Sequence, residues 1–74
     1  MNFSVIKTVL SEHKGYTEDL LGCEFEYICY TQKDYGFDKY NNYIEIKNTT
    51  YIPVGFKNIE AKTLKELKIK MSKV

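Results

Sequence analysis

Residues 43–53 read YIEIKNTTYIP, and the polar triplet at the centre decides how many strands the chain is given. Ile44 and Ile46 alternate with Tyr43, Glu45 and Lys47, the period-2 pattern of a strand with one buried face. Asn48, Thr49 and Thr50 follow, and Tyr51, Ile52 and Pro53 resume the strand-like composition. Strand, short polar turn, strand is a hairpin. The run therefore predicts one strand over 42–47, a tight connection at 48–50 and another strand over 50–54. Pro53 donates no hydrogen bond and belongs at a strand end or edge.

Upstream lies KDYGFDKYNNYI, residues 33–44, where Tyr35, Phe37, Tyr40 and Tyr43 stand among Lys, Asp, Gly and Asn. Turn residues this dense predict a loop over 33–41. CEFEYICYT, 23–31, alternates: Cys23, Phe25, Tyr27 and Cys29 share a face expected to be core, with Glu24 and Glu26 opposite. Before it, SEHKGYTEDLLG is polar, carries Gly15 and Gly22, and reads as a long loop. NFSVIKTVL, 2–10, is rich in β-branched residues and reads as the first strand. Downstream, Gly55 and Asn58 mark a turn and NIEAK, 58–62, reads as a last short strand. At the C-terminus, Leu64, Leu67, Met71 and Val74 fall within about 80° on a helical wheel. Thr63 and Glu66 have capping-box spacing. A helix over 63–72 is expected, the alternative being an extra strand on the alternation of Leu67, Ile69 and Met71.

Composition bounds the rest. The 74 residues carry a net charge of +1 and are 43% hydrophobic, which fits a single small globular domain. All eleven basic residues are Lys; Arg and Trp are absent, while Tyr and Ile each occur seven times. That bias matches AT-rich coding. Residues 1–46 hold four Lys against eight acids, and residues 47–74 seven Lys against two. No apolar run is long enough to span a membrane or to form a signal peptide, so the expected location is the cytoplasm. Cys23 and Cys29, six residues apart on one strand, would sit roughly 20 Å from each other. They are expected to stay free thiols in a reducing compartment.

The order of these pieces, a first strand, a long Gly-containing loop, LLGCEFEYI, a variable loop, the YIEIKNTTYIP hairpin and YIPVGFKNIE, resembles the Src homology 3-like small β-barrel. The resemblance covers about residues 3–62 and rests on the pattern of elements. It implies a mainly β, five-stranded barrel with a short C-terminal helix. In it, 11–22 would be the RT-type loop, 33–41 the n-Src-type loop and 48–50 the distal turn. Pro53 matches the groove proline of the proline-peptide-binding members, with Tyr51 or Phe56 as an aromatic wall. Their ALYDY start and their Trp are missing here, so binding of proline-rich peptides is not implied.

On such a barrel the aromatic loop would stand at the rim, leaving rings in solvent. The expected function is non-enzymatic: a binding module acting on a protein partner. Tyr35, Phe37 and Tyr40 would anchor the contact, and Asp34, Asp38, Glu18 and Asp19 would steer it. Small size, AT-rich composition and acidic aromatic loops are also the style of phage or mobile-element inhibitors of host or defence proteins. Anti-CRISPR proteins are one such group, and the mechanism expected of this chain is steric or electrostatic occlusion. The alternative is nucleic-acid binding through Lys62, Lys65, Lys68, Lys70 and Lys73 with stacking tyrosines. Against it stand the near-neutral charge and the lack of Arg. His13 with Cys23 or Cys29 could pair as base and nucleophile, but thiols facing a core are inert. Three such residues at these spacings make no zinc site. No cofactor, metal or membrane partner is expected; monomer and homodimer are left open.

Overall fold

A computed structural model describes residues 3–74. Asn2, the first residue of the expected opening strand, lies outside the described residues. The chain forms three strands, β1 (Ser4–Glu18), β2 (Glu24–Phe37) and β3 (Tyr43–Pro53), and one helix, α1 (Leu64–Met71). The strands pair antiparallel in the order β1-β2-β3. This is an open meander, and the expected five-stranded Src homology 3-like barrel does not form.

The barrel fails at three predicted breaks that do not occur. Asn48, Thr49 and Thr50 stay in β3 and pair with Gln32, Thr31 and Tyr30. The expected loop at 11–22 is strand as far as Glu18, its residues 11–18 opposite 24–31. The expected loop at 33–41 is strand as far as Phe37, flanked by β1 and β3. Polar residues end a strand when they must cross into a core. Here most of both faces meets water, so Ser, Thr, Asn and Lys fit on either side and backbone pairing continues. The expected strand over 58–62 is a single rung: Tyr51 and Ala61 exchange N–H···O bonds of 2.8 and 3.0 Å.

Register assigns every side chain to a face, because alternate residues point to opposite sides. In the regular part of the sheet, odd-numbered residues share one face and even-numbered residues the other. Cys29 and Pro53 are the buried odd-face sheet positions, and Ala61 and Leu67 are buried with them. Helix α1 therefore lies over the odd face, at the end where β3 finishes. Gly15 is a strand residue opposite Tyr27. The Tyr27 ring occupies the space that a β-carbon at position 15 would need, the way an aromatic covers a strand glycine.

The helix prevails over the strand alternative because its cap and its buried side chain agree. Thr63 is extended, and its hydroxyl accepts from the Glu66 N–H at 3.2 Å. The Glu66 carboxylate reaches back to the Lys62 N–H at 3.4 Å, one residue before the usual capping-box partner. It also pairs with Lys70 at 3.1 Å. Together these hold Glu66 below the usual carboxylate range, the Lys70 bond contributing most. On a strand, Leu67 would have no cover; on the helix it is fully buried.

Four buried apolar side chains, Cys29, Pro53, Ala61 and Leu67, make a small core for the sheet. The molecule measures 48 × 19 × 17 Å, with a radius of gyration of 15.7 Å. A compact domain of this length would have about 11 Å. The length of the strands sets that shape, and it separates the functional candidates.

Candidate interaction surfaces

The two hairpin turns stand at opposite ends of β2, about 46 Å apart by strand rise. They are the same device built twice. In the first, DLLGC at 19–23, the Asp19 carboxylate accepts from the N–H groups of Leu21 (2.8 Å) and Cys23 (3.0 Å). In the second, DKYNN at 38–42, Asp38 accepts from Tyr40 (2.8 Å) and Asn42 (2.9 Å). Each turn closes with a backbone bond from its first N–H to its fifth carbonyl. Each places its fourth residue at positive φ: Gly22 at 84° and Asn41 at 62°. Gly and Asn are the residues that tolerate that region. The Asn42 N–H, then that of Tyr40, hold Asp38 below the usual carboxylate range. Asp19 and Asp38, expected to steer a partner, thus spend their carboxylates on backbone donors.

Glu18 and Asp19 therefore lie at the far end of the sheet from Tyr35, Phe37 and Tyr40. The structure does not gather them into one surface. Asp34 sits near the aromatics but on the even face, bonded to Thr8 Oγ1 (2.8 Å) and Gln32. What does assemble is an aromatic group on the odd face at the β2–β3 hairpin. Tyr35 and Tyr43 stack with centroids 6.3 Å apart, and Phe37 meets Tyr43 edge-on at 5.4 Å. Phe37 is 39% exposed and Tyr43 59%. Tyr40, in the turn, is 72% exposed, with the Lys39 ammonium 5.0 Å from its ring centre. Tyr43 belongs to the cluster although the expected anchors omitted it. It pairs directly with Phe37, a contact that a loop over 33–41 would not make.

The sheet also segregates charge. The odd face carries Lys7, Lys33 and Lys47 against Glu45 alone, while the even face carries Glu12, Glu18, Glu24, Glu26 and Asp34 against Lys14. Lys33 and Lys47 lie directly opposite one another, a like-charge pairing that costs stability unless an anion relieves it. The pair Lys33–Glu45, at 3.9 Å and half in water, offsets little. This row sits between the aromatic cluster and α1. No spacing rule finds it, because it exists only once β2 and β3 are in register. Of the C-terminal lysines, Lys62 donates to Thr50 Oγ1 and Lys70 to the Glu60 carbonyl. Lys65, Lys68 and Lys73 lie on or just after α1.

Among the described residues, no element covers the even face. Ile28, Ile44, Ile46 and Ile52 are half-buried among their sheet neighbours, and Leu10 is 73% exposed. The Tyr16 hydroxyl donates to Glu24 at 3.0 Å, and that bond pushes its titration up.

His13 and Cys29 share a rung, so the suggested base–nucleophile pair is adjacent. Cys29, however, is 3% exposed beneath α1, and its neighbour Tyr51 is held above the ordinary tyrosine range, first by burial and then by the thiol. Cys23, expected in the core, is exposed in the first turn, and both cysteines are free. Among the described residues no group of three potential ligands could hold a metal ion, and no helix is long and apolar enough to cross a membrane. Comparison of the chain with protein-family models, curated proteins and solved structures finds no match.

Proposed function

We propose that the protein is a non-enzymatic binding module that engages a protein partner through the aromatic end of its sheet. One observation carries this reading: Tyr35, Phe37 and Tyr43 are ordered against each other, Phe37 and Tyr43 exposed and Tyr35 half-buried, at an end of the sheet that no other element covers among the described residues. Rings held in place before contact lose little entropy on binding and offer large apolar area. Tyr40 and Lys39 extend the surface around the tip. Occlusion of a host or defence protein, in a reducing cytoplasm that keeps Cys23 free, is the form of the proposal that the composition favours. The test is capture of a partner by the wild-type chain and by Phe37→Ala and Tyr43→Ala variants. Each substitution is expected to weaken binding by about 1–3 kcal/mol with the fold intact. Unchanged capture by both variants refutes the reading.

A second reading has its own observation. The Lys7, Lys33 and Lys47 row shares a face with the stacking rings, the combination that single-stranded nucleic acid uses. Gel shift with mixed DNA and RNA at low salt separates the two. Salt-sensitive binding, with the slope falling by about 0.7 per lysine removed at positions 33 and 47, supports nucleic acid. No shift at low salt refutes it.

A further inference from the structure

Strand β1 is the bare edge of the sheet. On the outside of β3, Ala61 pairs with Tyr51; among the described residues, nothing pairs with the outside of β1. Edges that stay single are short, charged, interrupted by Pro or bent by bulges; the central charges of β1, Glu12 and Lys14, are of opposite sign and can pair across an antiparallel seam. β1 has 15 residues and no Pro, and its one irregularity lies at its start, between Val5 and Lys7. The direction of its free groups follows from the ladder. Tyr51 turns its N–H and C=O to Ala61, so Cys29, its rung partner, turns its own to His13. The even-numbered residues of β1 from Thr8 to Glu18 then point theirs outward.

We propose that a second copy of this chain fills that edge, β1 against β1 antiparallel, on a two-fold axis through His13. The regular segment Thr8–Glu18 is centred on His13, so this register pairs all of it. A two-fold perpendicular to the sheet keeps each face on its own side, so permitted registers differ by whole steps. With the axis at His13, Glu12 of each copy faces Lys14 of the other. One step either way sets Glu12 against itself or Lys14 against itself. Leu10 faces Tyr16 in the same register, again twice. These residues line two shallow hollows on the even face, one of Leu10, Glu12 and Tyr30, the other of Lys14, Tyr16 and Glu26. Each copy's Tyr16 and Leu10 would cover the hollows of the other.

The surface area agrees. The chain exposes 5508 Å², whereas a folded monomer of 8.7 kDa is expected to expose about 4,700 Å². The excess, about 800 Å², is what each side of a standard interface buries. The product is a six-stranded sheet with both α1 helices on one face and the acidic even faces joined on the other.

Sedimentation equilibrium tests it directly. The wild-type chain is expected to associate to a dimer, and the amides of Leu10, Glu12, Lys14 and Tyr16 to gain hydrogen-exchange protection as concentration rises. Glu12→Lys alone and Lys14→Glu alone should each weaken the dimer roughly ten- to thirty-fold, since both copies of the pair become repulsive. The doubly swapped chain, or an equal mixture of the two single variants, should recover it. A chain that sediments as a monomer throughout overturns the proposal. So does a dimer indifferent to the single reversals, or one that the double swap fails to restore.

Discussion

At one end of the sheet α1 and Ala61 close over Cys29 and Pro53; at the other, Tyr35, Phe37 and Tyr43 stand on the same face with nothing above them among the described residues. The strands are common to both ends, and so is the ladder of backbone bonds. Only the cover differs. Under the helix, burial removes apolar surface from water, the main favourable term in folding. At the hairpin the rings gain only from touching one another, a few tenths to one kcal/mol per cross-strand pair. Stability is therefore concentrated at the helix end, and the aromatic end contributes little to it.

The sharpest way to break that contrast is to hollow the covered end. Leu67→Ala empties the one fully buried helix position and is expected to cost about 2–5 kcal/mol, read from the urea midpoint. That is a large share of what a domain of this size has. A loss no larger than that of a surface substitution would mean the helix does not anchor the fold.

Next in size are the turns, where the two ends are built alike. Asp19→Ala and Asp38→Ala each remove a carboxylate that accepts two backbone N–H groups. Each should lower Tm by roughly 4–8 °C. Gly22→Ala should be worse than Asn41→Ala, because position 22 has the larger positive φ and no side chain suited to it.

Smaller again is the response to pH. Asp38 and Glu66, one at each end, are both lowered, so their ionised forms favour the fold. Their contribution is complete above the ordinary carboxylate range and is lost as pH falls through the depressed values. Tyr51 is raised, chiefly by burial, so the neutral phenol favours the fold. Its contribution is complete below the ordinary tyrosine value of 10.0 and is lost as pH rises through the raised one. Thermal melts should fall off on both sides, the alkaline side being sensitive to Tyr51→Phe and the acid side not.

The same contrast explains what could be read in advance. The helix was legible because Thr63, Glu66 and Leu67 combine a cap with a buried stripe. Ile44 and Ile46, and the alternation from Phe25 to Cys29, marked strands correctly. Strand ends were not legible. Hydrophobic alternation reports where a face is covered, and Ser11–Glu18, Lys33–Phe37 and Asn48–Thr50 are strand with little cover. The turns were signalled by the recurring Asp, two residues, then Gly or Asn, in DLLGC and DKYNN. That signal was masked by reading the surrounding polar residues as loop. The aromatic residues of the hairpin end were visible as residue types. Their grouping with Tyr43, their separation from Glu18 and Asp19, and the lysine row at positions 33 and 47 all depend on register, which sequence periodicity does not carry.

The most direct measurement is the unfolding free energy of the chain carrying Phe37→Ala and Tyr43→Ala together. If the rings are surplus surface, the loss stays under about 1.5 kcal/mol with the strand spectrum unchanged. A loss of about 3 kcal/mol or more, the scale of emptying a core, would mean that those rings hold the molecule together and are not free for a partner.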